Sequence, residues 1–490
     1  MLRLTDNTLR SLPRTVRKPG YDRAAVTPGI VHLGIGAFHR AHQAVYTDDV
    51  LAAGDLGWGI VGASLRSPDT RDALKPQDGL YAVDIRDGSG EEVRVIGAIG
   101  EVLVAPEDPA ALLDALSDPG IRIVSLTVTE KGYCHNPATG ELDPNHPDIR
   151  HDLDNPGAPR SAPGFIVEAI ARRRAAGTAP FTVLSCDNLP SNGVTTKKVL
   201  VGLARLRDPQ LGRFVESEIA CPSTMVDRIV PATTGADRDR VTGLLGVEDS
   251  WPVMAEPFSQ WVIEDRFPSG RPDWRGATFV EDVEPFEYMK LRLLNGSHST
   301  MAYLGYLSGK ETIADAASDP SMATLVRALM DEEMTPTLPV LPGFDLPAYK
   351  DQLFGRFRNP ALKHRTWQVA MDGSQKLPQR LMAPARERIA KGLPVERIAL
   401  GVAAWMRYAT GIDEAGRPID VRDPLAADLR ARADAAGRDP DRLAEALLGV
   451  RQMFGDDLPH EERFTAPVRR WLAMLFERGA AETVRVATQT

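Results

Sequence analysis

Up to about residue 285 the apolar positions fall in short, often β-branched runs; beyond it they recur at helical spacing. Gly29–Gly34 (GIVHLG) predicts a buried strand that leads into a turn and an amphipathic helix within IGAFHRAHQAVYTDDVLAAG. Trp58–Leu65, YAVDIR, VRVIGAIGEVLVA and Ile121–Glu130 continue the strand pattern. The last of these is the near-continuous apolar run of a strand buried on both faces. Residues 134–164, rich in Pro, Asn, Asp and His, predict a long surface loop. A helix from roughly Gly164 to Ala176 and a strand in FTVLSC follow. Strands alternating with helices predict βαβ units and a parallel sheet.

From Pro285 the segments EYMKLRLLNGSHSTMAYLGYL, ERIALGVAAWMRYATG, LAEALLGVRQMF and APVRRWLAMLFERGAAETVRVA repeat with a period near 3.6. Thr335–Pro347 reads as a proline-rich connector between helices. The expected fold class is therefore α/β: a parallel-sheet domain over residues 1–284 and a mainly α-helical domain over 285–490. The length of 490 residues and a hydrophobic share of 43% allow two cores.

Charge narrows the partners. The formal net charge is -9, and no run of Lys and Arg forms a phosphate-binding stripe. Nucleic acid and anionic membrane surfaces are thereby disfavoured, while a locally positive pocket could still take an anion. Cys134, Cys186 and Cys221 are odd in number and widely spaced, without a CxxC pair. Neither a disulfide framework nor a cysteine zinc site is signalled. The start of the chain, MLRLTDNTLRSLPR, is polar, and no segment approaches the roughly 20 apolar residues of a membrane span, so a cytoplasmic protein is expected.

The first strand runs into Gly34-Ile35-Gly36-Ala37-Phe38-His39. Gly34 permits a tight turn, and Gly36 would let the backbone approach a pyrophosphate at a helix N-terminus. His39 stands where a third glycine is common, and glycines in such a turn can also be merely structural. The second strand ends in Ser64-Leu65-Arg66-Ser67-Pro68-Asp69. An acid there would bind the ribose of NAD; Asp69 is near, while Arg66 could take the 2′-phosphate of NADP. NAD is the expected cofactor, with NADP left open.

Lys290, Asn295 and His298 interrupt an apolar stretch that contains Met289, Leu293, Leu294, Met301 and Leu304. On a straight α-helix at about 100° per residue, Asn295 lies about 140° from Lys290 and His298 about 80°. One broad face could present all three. A lysine buried there is costly unless it does chemistry. Desolvation would lower its pKa from about 10.4 toward neutrality, making the amine a proton acceptor. Solvated or capping side chains are the ordinary alternative. Gly296 inside this helix suggests a substrate or a second backbone pressing close. A further polar cluster, Ser185–Gly193, includes Asn188, whose amide could donate to a substrate oxygen; a simple Asn/Pro/Gly turn explains it equally well.

Together IVHLGIGAFHRAHQAVY, SLTVTEKGY, FTVLSCDNLPSNG, MVDRIVP, EPFSQWVIED, KLRLLNGSH, HRTWQVAMDGSQKLPQR and GVAAWMRYATG resemble the polyol-specific long-chain dehydrogenase/reductase family over nearly the whole chain. The resemblance implies an N-terminal Rossmann-type domain, a helical C-terminal domain, a site in the cleft between them and no catalytic metal. It implies that Lys290 is the general acid/base, that Asn295 and Asn188 cradle the substrate oxygen and that His298 orients the substrate. Glu287 matches a glutamate that steers proton exchange with solvent. Glu130 and Asp227 match positions beside the cofactor, which is also expected to meet Gly34, Ile35, Gly36, Ala37, Phe38 and Asn188. Lys376 matches a substrate-contacting lysine. Gln368 stands where the mannitol-oxidising members carry an arginine.

The phrases TVTEKGYC, TWQVAMDGSQKLPQR and NGSH are nearest to the hexuronate branch, which implies interconversion of fructuronate and mannonate. Arg365, Lys376 and Arg380 are the candidate grips for a carboxylate. A neutral polyol such as mannitol or arabinitol is the alternative substrate. A nucleotide-binding sensor without turnover is the alternative from another class, and the intact Lys290, Asn295 and His298 set argues against it. The expected partner is a small sugar acid or polyol, and the expected assembly a monomer or small homo-oligomer.

Overall fold

The structure, a computed structural model, describes residues 2–87, 90–136, 139–341 and 343–489. The chain divides into two compact units, Met1–Glu284 and Pro285–Thr490.

In the first unit the strands are β1 (Pro28–Leu33), β2 (Gly59–Ser64), β3 (Tyr81–Arg86), β4 (Glu91–Ile96), β5 (Ile99–Val104), β6 (Ile123–Leu126) and β7 (Thr182–Ser185). Five of them form one parallel sheet in the order β5-β2-β1-β6-β7. The chain builds outward from β1 to β5, then crosses over and builds the other way from β6. Strand order thus reverses between β1 and β6, the place where open sheets of this kind take ligands at their carboxyl ends.

Helices cover both faces of this sheet. They are α1 (Ala37–Ala41), α2 (Gln43–Ala52), α3 (Asp69–Leu74), α4 (Pro109–Ser117), α5 (Pro147–Asp154), α6 (Ala162–Ala176) and α7 (Asn192–Arg207). Val31 and Leu33 pack with Leu112, Phe165, Ile166 and Leu200, while Ile30 packs with Tyr46, Trp58 and Trp261 on the other side. Neighbouring residues of β1 face opposite cores, which is why the strand is apolar without alternation.

The run VRVIGAIGEVLVA, read as one strand, is two. β4 pairs antiparallel with β3, and β5 joins the main sheet. They part at Gly97, whose N–H donates to Asp48 and whose carbonyl accepts from Arg23. In Ile121–Glu130 only Ile123–Leu126 is a strand; the polar TVTE segment leaves the sheet. Residues 134–164 hold α5 and the start of α6 rather than one long loop. The prolines read as breakers, Pro147 and Pro163, sit in first turns, where the missing N–H has no intrahelical partner in any case. The first helix is also broken: His42, at φ -123° and ψ -94°, separates α1 from α2.

After α8 (Pro209–Glu218) come β8 (Thr224–Asp227), α9 (Gly235–Leu245), β9 (Val253–Ala255), β10 (Gln260–Glu264) and β11 (Thr278–Val280). β8, β10 and β11 form a separate sheet, and β9 joins β3 and β4.

In the second unit no β-strand occurs among the described residues. α10 (Glu284–Met289) passes through a π-helical turn, Lys290–Gly296, into α11 (Ser297–Leu307). α11 packs on the helices 396–409 and 462–487 through buried residues such as Leu400, Trp405 and Leu472. No described helix is long and apolar enough to cross a membrane.

Candidate active site

One candidate cluster lies at the carboxyl edge of the parallel sheet. Gly34 follows β1 with φ +94°, and a Cβ there would lie 2.2 Å from the Thr127 carbonyl oxygen. The turn therefore presses directly on the chain leaving β6. Non-glycine residues at positive φ cost about 1–3 kcal/mol, and the overlap adds to that. Gly34→Ala is expected to lower the unfolding free energy from a urea titration by at least that much, with a lower midpoint; an unchanged midpoint contradicts this packing.

Gly36 differs. It is exposed, its φ is -85°, and the nearest atom to a built Cβ is the Gly34 carbonyl at 3.8 Å. It caps α1 without a side-chain bond, so the first turn keeps open N–H groups. Ile35 is buried, Ala37 and Phe38 are half-buried, and the Phe38 ring stacks on His42 at 4.9 Å. The broken helix end is tied down by Arg228, which donates to the Ala41 carbonyl at 2.6 Å.

Beneath the turn sits a polar network that the sequence reading passed over. His32 Nδ1 lies 2.8 Å from Ser125 Oγ, and Nε2 lies 2.8 Å from Thr127 Oγ1. Ser125 donates to Gln43, and the His39 ring stacks on His32 with 3.4 Å between centroids. The network pins β1 to β6 where the strand order reverses. Its sequence signal was a histidine and a serine inside otherwise apolar strands.

Asp187 was missed as well. Its carboxylate accepts the N–H groups of Val128 and Thr129, at 3.0 and 2.9 Å, and the Tyr133 hydroxyl at 2.7 Å. It fastens the end of β7 to the loop after β6, where exposed Glu130 begins a single helical turn. Burial raises the Asp187 pKa, opposed by these three donors. Asn188 is exposed beside it, and Asp227 ends β8, buried and opposite Gln260. At the tip of β2, Ser67 donates to Asp69, while Arg66 is exposed.

A separate candidate cluster lies in the helical unit. Lys290 is the first residue of the π turn and only 7% exposed. The turn corrects the straight-helix geometry: the wider i→i+5 winding narrows the angle between Lys290 and Asn295 from the roughly 140° of a straight α-helix. Glu287 and Asn295 are half-buried, and His298 is buried in α11. A second π turn, Pro378–Met382, packs against the first. A Cβ on Gly296 would lie 3.1 Å from the Arg380 carbonyl oxygen. The element pressing on Gly296 is thus a second backbone.

Arg380 is a half-buried cation of this cluster. It donates to Ser299 Oγ at 3.0 Å and to the Asn295 carbonyl at 3.4 Å. Burial pushes its pKa down to about 10. The His298 ring meets His364 edge-on at 4.9 Å and Phe357 at 5.4 Å. Lys376 donates to the Met371 carbonyl at 2.6 Å and lies 4.0 Å from Asp372. Arg365 departs from its expected role as an anion grip: it is 61% exposed and pairs with Glu311 at 3.9 Å. Gln368 is exposed, and its amide oxygen accepts from the Arg365 N–H.

Burial holds His298 and His39 well below the usual imidazole value and pushes His32 down to about 3. Positive neighbours add to this: His364, Arg380, Arg356 and Lys376 for His298, and Arg40 for His39. The unfolded chain therefore binds more protons than the native one once the pH drops below about 6.5. Stability is full above that value and is lost as pH falls toward the native pKa values, by up to about 1.4 kcal/mol per pH unit for each ring. The urea midpoint is expected to be flat near neutrality and to fall steeply by about pH 5; a flat profile across that window contradicts the buried neutral rings.

Residues 28–276 match the family model for the mannitol dehydrogenase Rossmann domain, and residues 282–475 match that for the mannitol dehydrogenase C-terminal domain. The chain belongs to the mannitol dehydrogenase family. The motifs pointed to this family, and its two-part architecture, a Rossmann domain and a helical C-terminal domain, is the one observed. The chain is 50% identical to the D-mannonate oxidoreductase of Escherichia coli (strain K12), over 96% of this chain and 97% of that protein. It is 42% identical to a mannitol 2-dehydrogenase of Aspergillus terreus, over 96% and 95% of the two chains. Among solved structures, the Pseudomonas fluorescens mannitol 2-dehydrogenase in a ternary complex with NAD and D-mannitol superimposes with a TM-score of 0.89 at 41% identity, each chain fully covered.

Proposed function

We propose that the protein is an NAD-dependent oxidoreductase that interconverts D-fructuronate and D-mannonate. The observation that carries the sugar-acid reading is Arg380: a half-buried guanidinium whose hydrogen bonds, among the described residues, go to neutral oxygens only. A half-buried cation without a counter-charge has lost part of its hydration, and a substrate carboxylate would compensate it through paired charge-assisted bonds. Lys376 and Arg356 add positive charge around His298. The 50% identity to a D-mannonate oxidoreductase supports the same reading.

The dinucleotide fits the first unit. Open space at Gly36 and the uncapped first turn of α1 suit a pyrophosphate, and the NAD in the similar Pseudomonas structure supports NAD here. Gly34, Ile35, Gly36, Ala37 and Phe38 would line it, with Glu130, Asn188 and Asp227 beside it. Asp69, held by Ser67, is the acid available to the ribose. Gly36→Ala should weaken NADH binding by about tenfold or more in a fluorescence titration while leaving stability near wild type, the reverse of Gly34→Ala.

Bound NADH supplies the hydride. The rest falls to side chains of this chain. Lys290 gives a proton to the ketone oxygen in reduction and takes it back in oxidation. Asn295 and Asn188 donate hydrogen bonds to that oxygen as negative charge develops. Neutral His298 orients a substrate hydroxyl, and Glu287 relays the lysine proton to solvent. In sum, ketone, NADH and one proton give alcohol and NAD.

The test is the loss of NADH absorbance on adding fructuronate, repeated with NADPH. The expected result is turnover with NADH preferred. Absence of any change with hexuronates, hexitols and pentitols would overturn the assignment and favour a sensor. A second reading, a neutral-polyol dehydrogenase, draws on the 41–42% identity to mannitol 2-dehydrogenases.

A further inference from the structure

Cys134, His146 and Asp148 lie in the first unit and play no part in the chemistry above. One ligand atom of each lies within 4.8 Å of the other two. The chain brings them together by a closed loop. Asp143 donates its N–H to the Cys134 carbonyl at 2.9 Å, and His146 donates its N–H to the Asp143 carbonyl at 3.2 Å. His146 and Asp148 then open α5. Cys134 is 4% exposed, whereas the side chains of His146 and Asp148 are 33% and 48% exposed. The thiol faces inward and the other two donors leave a path to solvent. Asp143, Asp148 and Asp152 all place negative charge near the sulfur.

We propose that Cys134, His146 and Asp148 form a binding site for one zinc-class divalent cation, with a structural role. A sulfur, an imidazole nitrogen and a carboxylate oxygen are the donors zinc takes, and a water would complete the tetrahedron. Zinc bonds of about 2.0–2.3 Å in tetrahedral geometry place ligand atoms roughly 3.3–3.7 Å apart. From separations of up to 4.8 Å the three donors must therefore close by about 1.5 Å at most, which side-chain rotation at half-buried His146 and Asp148 can supply. Binding forms the metal–sulfur bond and releases the thiol proton to water. His146 Nδ1 accepts the Asp148 N–H at 3.2 Å. The imidazole gives up that bond on binding metal, so the Asp148 amide reports occupancy.

The consequence for the fold is local. The loop begins at Tyr133, whose hydroxyl holds Asp187 and Ser185. A cation there would brace the segment that carries Glu130. The sequence held no CxxC signal because the ligands are twelve and two positions apart, 134 to 146 to 148.

The test uses the full-length protein stripped by a chelator and titrated with cobalt(II), then zinc(II). One equivalent of cobalt should give a thiolate charge-transfer band, which zinc abolishes, and zinc should raise the thermal midpoint. Cys134→Ser should remove the band. His146→Ala, at a more exposed position, should weaken zinc binding at least tenfold, with turnover of fructuronate unchanged. Absence of a thiolate band in the wild type, or full-strength zinc binding by His146→Ala, overturns the proposal.

Discussion

Lys290→Ala should reduce kcat in both directions by about two to four orders of magnitude, the range that a positioned proton donor contributes. NADH affinity, read by fluorescence, should stay within about twofold, because the nucleotide-binding residues assigned here all belong to the first unit. The argument rests on where the lysine sits. It starts a π turn, is 7% exposed and has apolar Met289, Leu293 and Leu294 around it in sequence, all buried. Single π turns inside α-helices concentrate at functional sites, since the wider winding costs hydrogen-bond quality. A lysine held there only for packing would make Lys290→Met a near-neutral change in activity. A proton shuttle makes Lys290→Met as inactive as Lys290→Ala. Near-normal turnover in either variant contradicts the role.

Arg380→Met should raise KM for fructuronate about a hundredfold and leave mannitol oxidation nearly unchanged. Two charge-assisted hydrogen bonds are together worth about 3 kcal/mol or more, and each 1.4 kcal/mol is about tenfold in affinity. Arg380→Lys keeps the charge and loses the fork, so an intermediate KM is expected. The arginine also braces Ser299 and the Asn295 carbonyl. If bracing were its whole function, the variant would lower kcat for acids and polyols alike. A KM effect confined to the acid separates the two roles. Arg365→Ala, at an exposed position paired with Glu311, should change little.

The sequence carried the large features because burial writes them directly. β1, β2, β3 and β7 lie within a residue or two of the runs that predicted them, and the change to helical spacing falls where the second compact unit starts. What it hid was set by contacts between distant residues. Nothing local distinguishes the β4–β5 break at Gly97 from continued strand, since the bonds that bend it come from Asp48 and Arg23. Asp187 reads as a turn residue until Val128, Thr129 and Tyr133 converge on it. The π turn at Lys290 packs against Pro378–Met382, far along the chain, and no local pattern marks that contact. Arg365 and Arg380 look equivalent as letters; burial alone separates them.

The most direct measurement is kcat/KM for mannonate and for mannitol with NAD, taken side by side at one pH. The account predicts that mannonate is favoured by about a hundredfold or more, the contribution of a forked arginine–carboxylate contact. Equal values, or a preference for mannitol, would contradict it.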